Sequence, residues 1–271
     1  DVDTYLLSHH GDGCYTYSFT TIFKTQNMKR FTILLMMTSL SIRMMSQGVI
    51  DVHSHLITPE YLSALTEENR LLEEGYPLPS YDVESHLNWM DESGIQTCVL
   101  TLAAPHPSSP AIVRKTNETA ASIKEKHPGR FLFCAALPLP DVTESIKEAK
   151  YALDTLKADG IKLATNAAGQ YLGTPALDTL FSVLNDYHAV VILHPHRPFP
   201  VNSQVMDQTP LAMQEYLSET TRAVTNMISR NVLARYPHIK IVVPHCDAYL
   251  PLAIPRMKSL APVMQSHKKV G

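Results

Sequence analysis

The sequence predicts an α/β protein built on parallel strands, and three observations carry the prediction. From residue 49 onward, short β-rich apolar runs alternate with amphipathic helical stretches. The runs are apolar on both faces, as parallel strands covered by helices are. Histidines recur at or near the C-terminal ends of the runs. The first two observations leave a doubly wound sheet and a barrel both open. The third favours the barrel, because a (β/α)8 barrel keeps its chemistry at the C-terminal ends of its strands. No Gly-rich phosphate loop follows any run, which counts against a nucleotide-binding sheet.

The elements follow in order. "VIDVHSHLI" from Val49 reads as the first strand and puts Asp51, His53 and His55 at alternate positions, hence on one face. "SYDVESHLNWMDESG" from Ser80 has helical spacing and ends in the glycine of a helix C-cap. The second strand is "TCVLTLA" from Thr97, followed by the helix "AIVRKTNETAASIKEKHPG" and the strand "FLFCAALPL" from Phe131. "VTESIKEAKYALDTLKADG" is the next helix and "GIKLAT" from Gly160 the fourth strand, with Lys162 near its end. The helix "ALDTLFSVLNDYH" leads to "AVVILHPH" from Ala189, where strand alternation sets His194 and His196 on one face. "KIVVPHC" from Lys240 is the sixth strand and carries His245.

Composition narrows the partners. The 271 residues are 45% hydrophobic and 18% charged, enough for one large core. Lys and Arg number 23 against 26 Asp and Glu, so no basic excess holds a phosphate backbone and no nucleic-acid partner is expected. Cys14, Cys98, Cys134 and Cys246 are scattered without C-x-x-C spacing; the last three read as strand residues, Cys246 as a small core residue, and disulfides are not expected. Residues 1–27 lack periodicity and are set aside as a non-native or mistranslated leader. At Met28 the pattern of an export signal begins: Lys29 and Arg30, a mostly apolar run from Phe31 to Ile42, then Ser46 and Gly48 as a small-x-small pair. That run is too short to span a bilayer, so no membrane span is expected. Residues 28–48 are thus expected to be a signal peptide and the protein periplasmic or secreted, with a helix packed on a cytoplasmic protein as the alternative. Residues 49–271 are the folded domain.

Neutral imidazoles converging on one barrel mouth suit a divalent transition metal such as zinc or manganese. A lone histidine is more often a hydrogen-bonded core or loop residue, but His53, His55, His194, His196 and His245 recur at equivalent places. With the blocks "DVHSHLITPEYL", "AALPLPDVTESIKEAKYALDTLKADGIKLATNAAGQYLG", "VVILHPHRP" and "ETTRAVTNMISRNVLARYPHIKIVVPHCDAYLP" in this order, residues 49–271 resemble the amidohydrolase-related family. That family contains aminocarboxymuconate-semialdehyde decarboxylase, γ-resorcylate decarboxylase and 6-methylsalicylate decarboxylase-like proteins. The resemblance implies a distorted (β/α)8 TIM barrel with one divalent metal. His53, His55 and His194 would be its ligands and His245 the catalytic histidine. It also implies small-molecule carboxylic acid substrates and a homo-oligomer, dimer or tetramer.

Two departures stand out. Asp247 occupies a position where family members carry a Gly-rich turn, and a carboxylate there is expected to reach the metal or a neighbouring cation. The family's last metal ligand is an Asp at the end of strand eight, whereas this sequence reaches Gly271 after six strand candidates. The expectation is a barrel truncated after the sixth strand. The implied reaction is metal-assisted, non-oxidative decarboxylation of an aromatic or muconate-type acid. Hydrolysis of an amide or lactone is the alternative, because fold and ligands do not separate the two. An inactive metal-binding remnant is a third possibility.

Other residues have a function and a plainer role to be weighed. Lys162 reads as a structural lysine or one supporting the ligands, since this branch of the family is mononuclear. His196 touches substrate or caps the loop before Pro198. Arg222 binds a substrate carboxylate in the bidentate manner of guanidinium groups, or is an exposed helix residue. Asp51 orients the site, as carboxylates do for ligating histidines.

Overall fold

A computed structural model describes residues 48–107, 109–200, 202 and 209–267. By its contacts the chain divides into two units, Asp1–Gln47 and Gly48–Gly271, and the described residues all belong to the second. The leader and, apart from Gly48, the export signal expected at 28–48 lie outside the described residues.

The described chain opens with β1 (Val49–Leu56) and α1 (Pro59–Glu67), whose N-cap Thr58 accepts the Tyr61 N–H at 3.2 Å. Then come α2 (Val83–Ser93), β2 (Ile95–Leu102), α3 (Pro110–Lys126), β3 (Phe131–Ala136) and α4 (Val142–Asp154). Asp82 caps α2 by accepting the Ser85 N–H at 2.8 Å, and Gly94 ends it at φ +69°, a left-handed conformation suited to glycine. β4 (Gly160–Ala164) is followed by a two-stranded hairpin of β5 (Asn166–Ala167) and β6 (Gln170–Tyr171), then α5 (Asp178–Asp186) and β7 (Val190–His194). The described chain closes with α6 (Leu211–Ser229), α7 (Val232–Arg235), β8 (Lys240–Val242) and α8 (Leu250–His267). The hairpin, α1, α6, α7 and α8 have no counterpart among the elements delimited from sequence.

Six strands form one parallel sheet in the order β1-β2-β3-β4-β7-β8. Laid flat, its edges would stand about 24 Å apart at the usual strand spacing. Yet the His53 ring on the first edge lies 4.8 Å from the His245 ring just beyond the opposite one. The sheet is therefore curled into part of a barrel, as expected of a (β/α)8 fold represented by six strands.

Alternation along the strands gives the curl two faces. Phe131, Phe133 and Ala135 of β3, Ile161 and Leu163 of β4, and Val191 and Leu193 of β7 point outward into the main core, which also contains Ala120, Ala149, Leu180, Phe181 and Leu184 of the covering helices. Burial of each large side chain contributes on the order of 2 kcal/mol. The intervening residues Val99, Cys134 and Ile192 form a small inner cluster. Register places Lys162 beside Ala136 and Ile192, and Ala164 beside His194, so Lys162 and His194 share the inner face.

Four local expectations are corrected. β8 ends at Val242, so His245 and Cys246 lie in a turn, and Cys246 is exposed rather than a core residue. His245, Cys246, Asp247 and Ala248 all have φ between +52° and +63°, a left-handed turn that excludes strand geometry. β7 ends at His194, so His196 lies past the strand and does not share a face with it by alternation. In β1 the register shifts between Asp51 and Ser54, breaking the strict alternation of Asp51 with His53 and His55.

Candidate metal centre

The curl gathers His53 and His55 of β1, His194 at the end of β7 and His245 of the left-handed turn. Ring centroids are 5.0 Å apart for His53 and His55, 4.8 Å for His55 and His194, and 5.3 Å for His53 and His194. One ring nitrogen from each of these three lies within 4.8 Å of the others, close enough for a shared ion.

Hydrogen bonds decide which nitrogens face inward. Thr101, on the inner face of β2, donates its hydroxyl to the Ser54 carbonyl at 3.1 Å. With that proton committed, its oxygen accepts from His55 Nδ1 at 3.3 Å, leaving the His55 Nε2 lone pair free. His194 Nδ1 likewise donates to the Pro195 carbonyl at 2.7 Å. The two Nε2 atoms then face each other across 3.3 Å as two acceptors. Two lone pairs at that distance repel unless something positive lies between them. It is also about the separation of two imidazole nitrogens bound tetrahedrally to one ion at ~2.0–2.1 Å.

Charge agrees with this arrangement. Burial, then the neighbouring His245, lowers the His53 pKa to about 4. Burial, then His53, lowers that of His55 to about 3. Burial and the Lys162 ammonium push His194 well below the ordinary histidine range, and partial burial lowers His245. At neutral pH these rings are uncharged, the form in which imidazole ligates a metal. The donors present therefore fit a divalent transition ion held by His53, His55 and His194.

The remaining predicted residues fall elsewhere. Asp51 accepts the His53 backbone N–H at 2.9 Å and lies 4.0 Å from Cys98 Sγ, so it holds the β1 backbone rather than an imidazole ring. Arg222 is 60% exposed and pairs with the buried Glu219 at 2.9 Å. Asp247 is exposed, and its carboxylate has no hydrogen bond or ion pair among the described residues. His196 joins a second group, Glu73, Glu74 and His196, whose donor atoms also approach within 4.8 Å. There His196 Nδ1 contacts Glu74, Tyr216 donates to Glu74 at 3.0 Å, and Arg70 and Arg197 pair with Glu73. Thr101 and the two glutamates escaped the sequence reading. Thr101 was detectable as an inward position of its strand, whereas nothing local marks the loop glutamates.

The comparisons agree with the geometry. The family model described as "Amidohydrolase" matches residues 50–270. Decarboxylase yanB of Aspergillus niger is 36% identical over 231 residues, covering 78% of this chain and 61% of its own length. The 6-methylsalicylic acid decarboxylase of Penicillium expansum is 32% identical over 226 residues, covering 79% and 69%. This chain thus spans three fifths to about two thirds of the length of these relatives. A solved 2,6-dihydroxybenzoate decarboxylase from Rhizobium shares the fold with a TM-score of 0.65 at 25% identity, covering 78% of this chain and 70% of that one. Another structure under that enzyme name holds 2,6-dihydroxybenzoate. With six parallel strands curled around converging histidines and the family match running almost the whole length of the described residues, the chain belongs to the amidohydrolase family.

Proposed function

We propose that this site serves the metal-dependent, non-oxidative decarboxylation of a small hydroxylated aromatic acid, with one zinc or manganese ion as cofactor. The facing Nε2 lone pairs of His55 and His194 carry the reading, because they form a ready divalent-ion site in a chain similar to named decarboxylases. His53, His55 and His194 hold the ion, while Thr101 and the Pro195 carbonyl fix the tautomers of two of them. A bound divalent ion supplies an electrophile that orients the acid's oxygens and draws charge from the ring.

His245 stands 4.8 Å from His53 and outside the ligand set, the place for a proton carrier. Its imidazole is neutral at pH 7, so it collects a proton from solvent and delivers it to the ring carbon. The bond from that carbon to the carboxyl carbon breaks, its electron pair passes to the ring, and carbon dioxide leaves. A dimer or tetramer as the working form and export from Met28 complete the proposal. Both rest on sequence, and sizing chromatography and the N-terminal mass of the mature protein test them.

The deciding experiment loads the full chain with manganese or zinc and offers salicylate-type and resorcylate-type acids in heavy water. The expected products are carbon dioxide and a phenol with one deuterium on the vacated carbon. His245→Gln should keep its metal and lose about 10²-fold or more in turnover. Opening of lactones or amides, with no carbon dioxide from any acid, would replace this reading with hydrolysis.

A further inference from the structure

Lys162 is 1% exposed, among the largest fully buried side chains of the protein. It lies on the inner face of β4, in register with Ile192 of the strand that carries His194. Its Nζ contacts His106 Nε2, and no carboxylate lies within ion-pair distance among the described residues. Glu74 acts on it only through the field and is already engaged by His196 and Tyr216. Burial draws the pKa of this amine down to about 7 against the weaker pull of Glu74, so it stands at the edge of ionisation, and an anion bound beside it would hold it charged.

Beside it is a cavity of about 150 Å³, on the order of ten times what one water needs. Lys162 and Arg70 give it a basic side, His106 is held uncharged by burial and then by Lys162, and Leu137, Leu139 and Pro140 form an apolar wall. Arg70 is committed to Glu68 and Glu73, which leaves Lys162 as the cavity's cation without a carboxylate partner. Neither the three clustered histidines nor His245 lines this slot, but Lys162 belongs both to its lining and to the inner face shared with His194. An apolar wall beside a buried amine fits the flat face and anionic group of an aromatic acid.

We propose that Lys162 is the anion anchor of the site, the residue that selects a carboxylate-bearing aromatic ligand over its neutral counterpart. The assignment rests on the reading of the site as one that takes aromatic acids. It says which group recognises the charge, a role separate from the metal ligands and from His245.

The test compares salicylate with salicylamide, its uncharged analogue, by calorimetric binding to the manganese-loaded full chain and to Lys162→Met and Lys162→Gln variants. The unmodified chain should prefer salicylate. Both variants should lose about tenfold or more in salicylate affinity, change less than about twofold for salicylamide, and keep their manganese. Removing a buried amine whose ionisation burial opposes should also raise the melting temperature of Lys162→Met. Undetectable salicylate binding by the unmodified chain, unchanged salicylate affinity in both variants, equal losses for the two ligands, or a sharply lower melting temperature would each overturn the proposal.

The two readings fail separately. Lysine-dependent salicylate binding without carbon dioxide release would refute decarboxylation and leave the anchor standing. Release by Lys162→Met at unchanged KM would refute the anchor alone.

Discussion

Among the described residues two trios of side chains bring donor atoms near enough to share an ion, and only one has the character of a metal centre. His53, His55 and His194 and the group Glu73, Glu74 and His196 each fit within 4.8 Å. In the first, burial holds the rings neutral, backbone and threonine partners turn two lone pairs toward one point, and among the described residues no carboxylate forms an ion pair with the rings, Asp51 acting on His53 only through its field. In the second, Arg70, Arg197, Tyr216 and His196 already answer the carboxylates. Proximity alone is thus a poor criterion. What separates a cation site from an ion-paired scaffold is whether the donors' charge and lone pairs are spoken for.

Substitution should widen that contrast. His194→Ala should cost more than about 10²-fold in manganese affinity measured by calorimetry, since it removes one of the three proposed ligands outright. Glu74→Gln should leave that affinity within about twofold but lower unfolding stability by about 3 kcal/mol, because it breaks a buried pair. Metal loss in Glu74→Gln with His194→Ala unaffected would reverse the assignment of the two trios.

Thr101→Val should come next, weakening metal binding by about 10-fold to 10²-fold with the fold intact, because His55 then loses the acceptor that sets its tautomer. An unchanged affinity would mean that packing alone holds the ring.

The third test is the stability of the metal-free protein as a function of pH. Folded His53 and His55 have pKa values near 4 and 3, below the unfolded value of 6.5. Between those limits the unfolded chain binds more protons, so stability should fall as pH drops from about 6.5 toward 4. Thermal melts at pH 7.5 and pH 5 should show the lower melting temperature at pH 5. A difference that persists in a His53→Gln, His55→Gln double variant would assign the effect to other groups.

The smallest effect concerns Asp247. At φ +63° it has a backbone conformation that glycine adopts without strain. Asp247→Gly should raise stability by about 1 kcal/mol in denaturant unfolding and leave metal affinity unchanged. A weakened metal would place the carboxylate among the ligands after all.

Much of the fold was legible because strands covered on both faces announce themselves. Phe131, Phe133, Ile161, Leu163, Val191 and Leu193 are apolar whichever way the sheet turns, and among the inner residues beside them on β3, β4 and β7 Lys162 and His194 are the charged or titratable exceptions besides Cys134. His53, His55 and His194 were legible for the same reason, as polar residues in apolar runs. The sequence could not show that the chain turns left-handed at His245, since four consecutive positive φ values arise without a glycine among them. Nor could it show that Asp51 would be drawn to the backbone of His53 by a register shift in β1. The Glu73–Glu74–His196 scaffold joins a loop to the residues after β7 and exists only in three dimensions. Lys162 was visible as a strand lysine, but its lack of a carboxylate partner depends on what every neighbouring strand presents.

The curl that carries His245 round to His53 also sets when the site comes into being. His55 and His194 are 139 residues apart along the chain, and bringing them together closes a loop whose entropic cost is met only by the strands between them. A partly folded chain that has docked β2 to β4 alone would own a core and no centre. Any ion shared by these histidines therefore acts as a long-range cross-link, favouring the fully wound sheet by mass action over every earlier intermediate. Metal uptake followed during refolding would in that case trail the burial of the outer core, and its lag would time the arrival of β7 against β1.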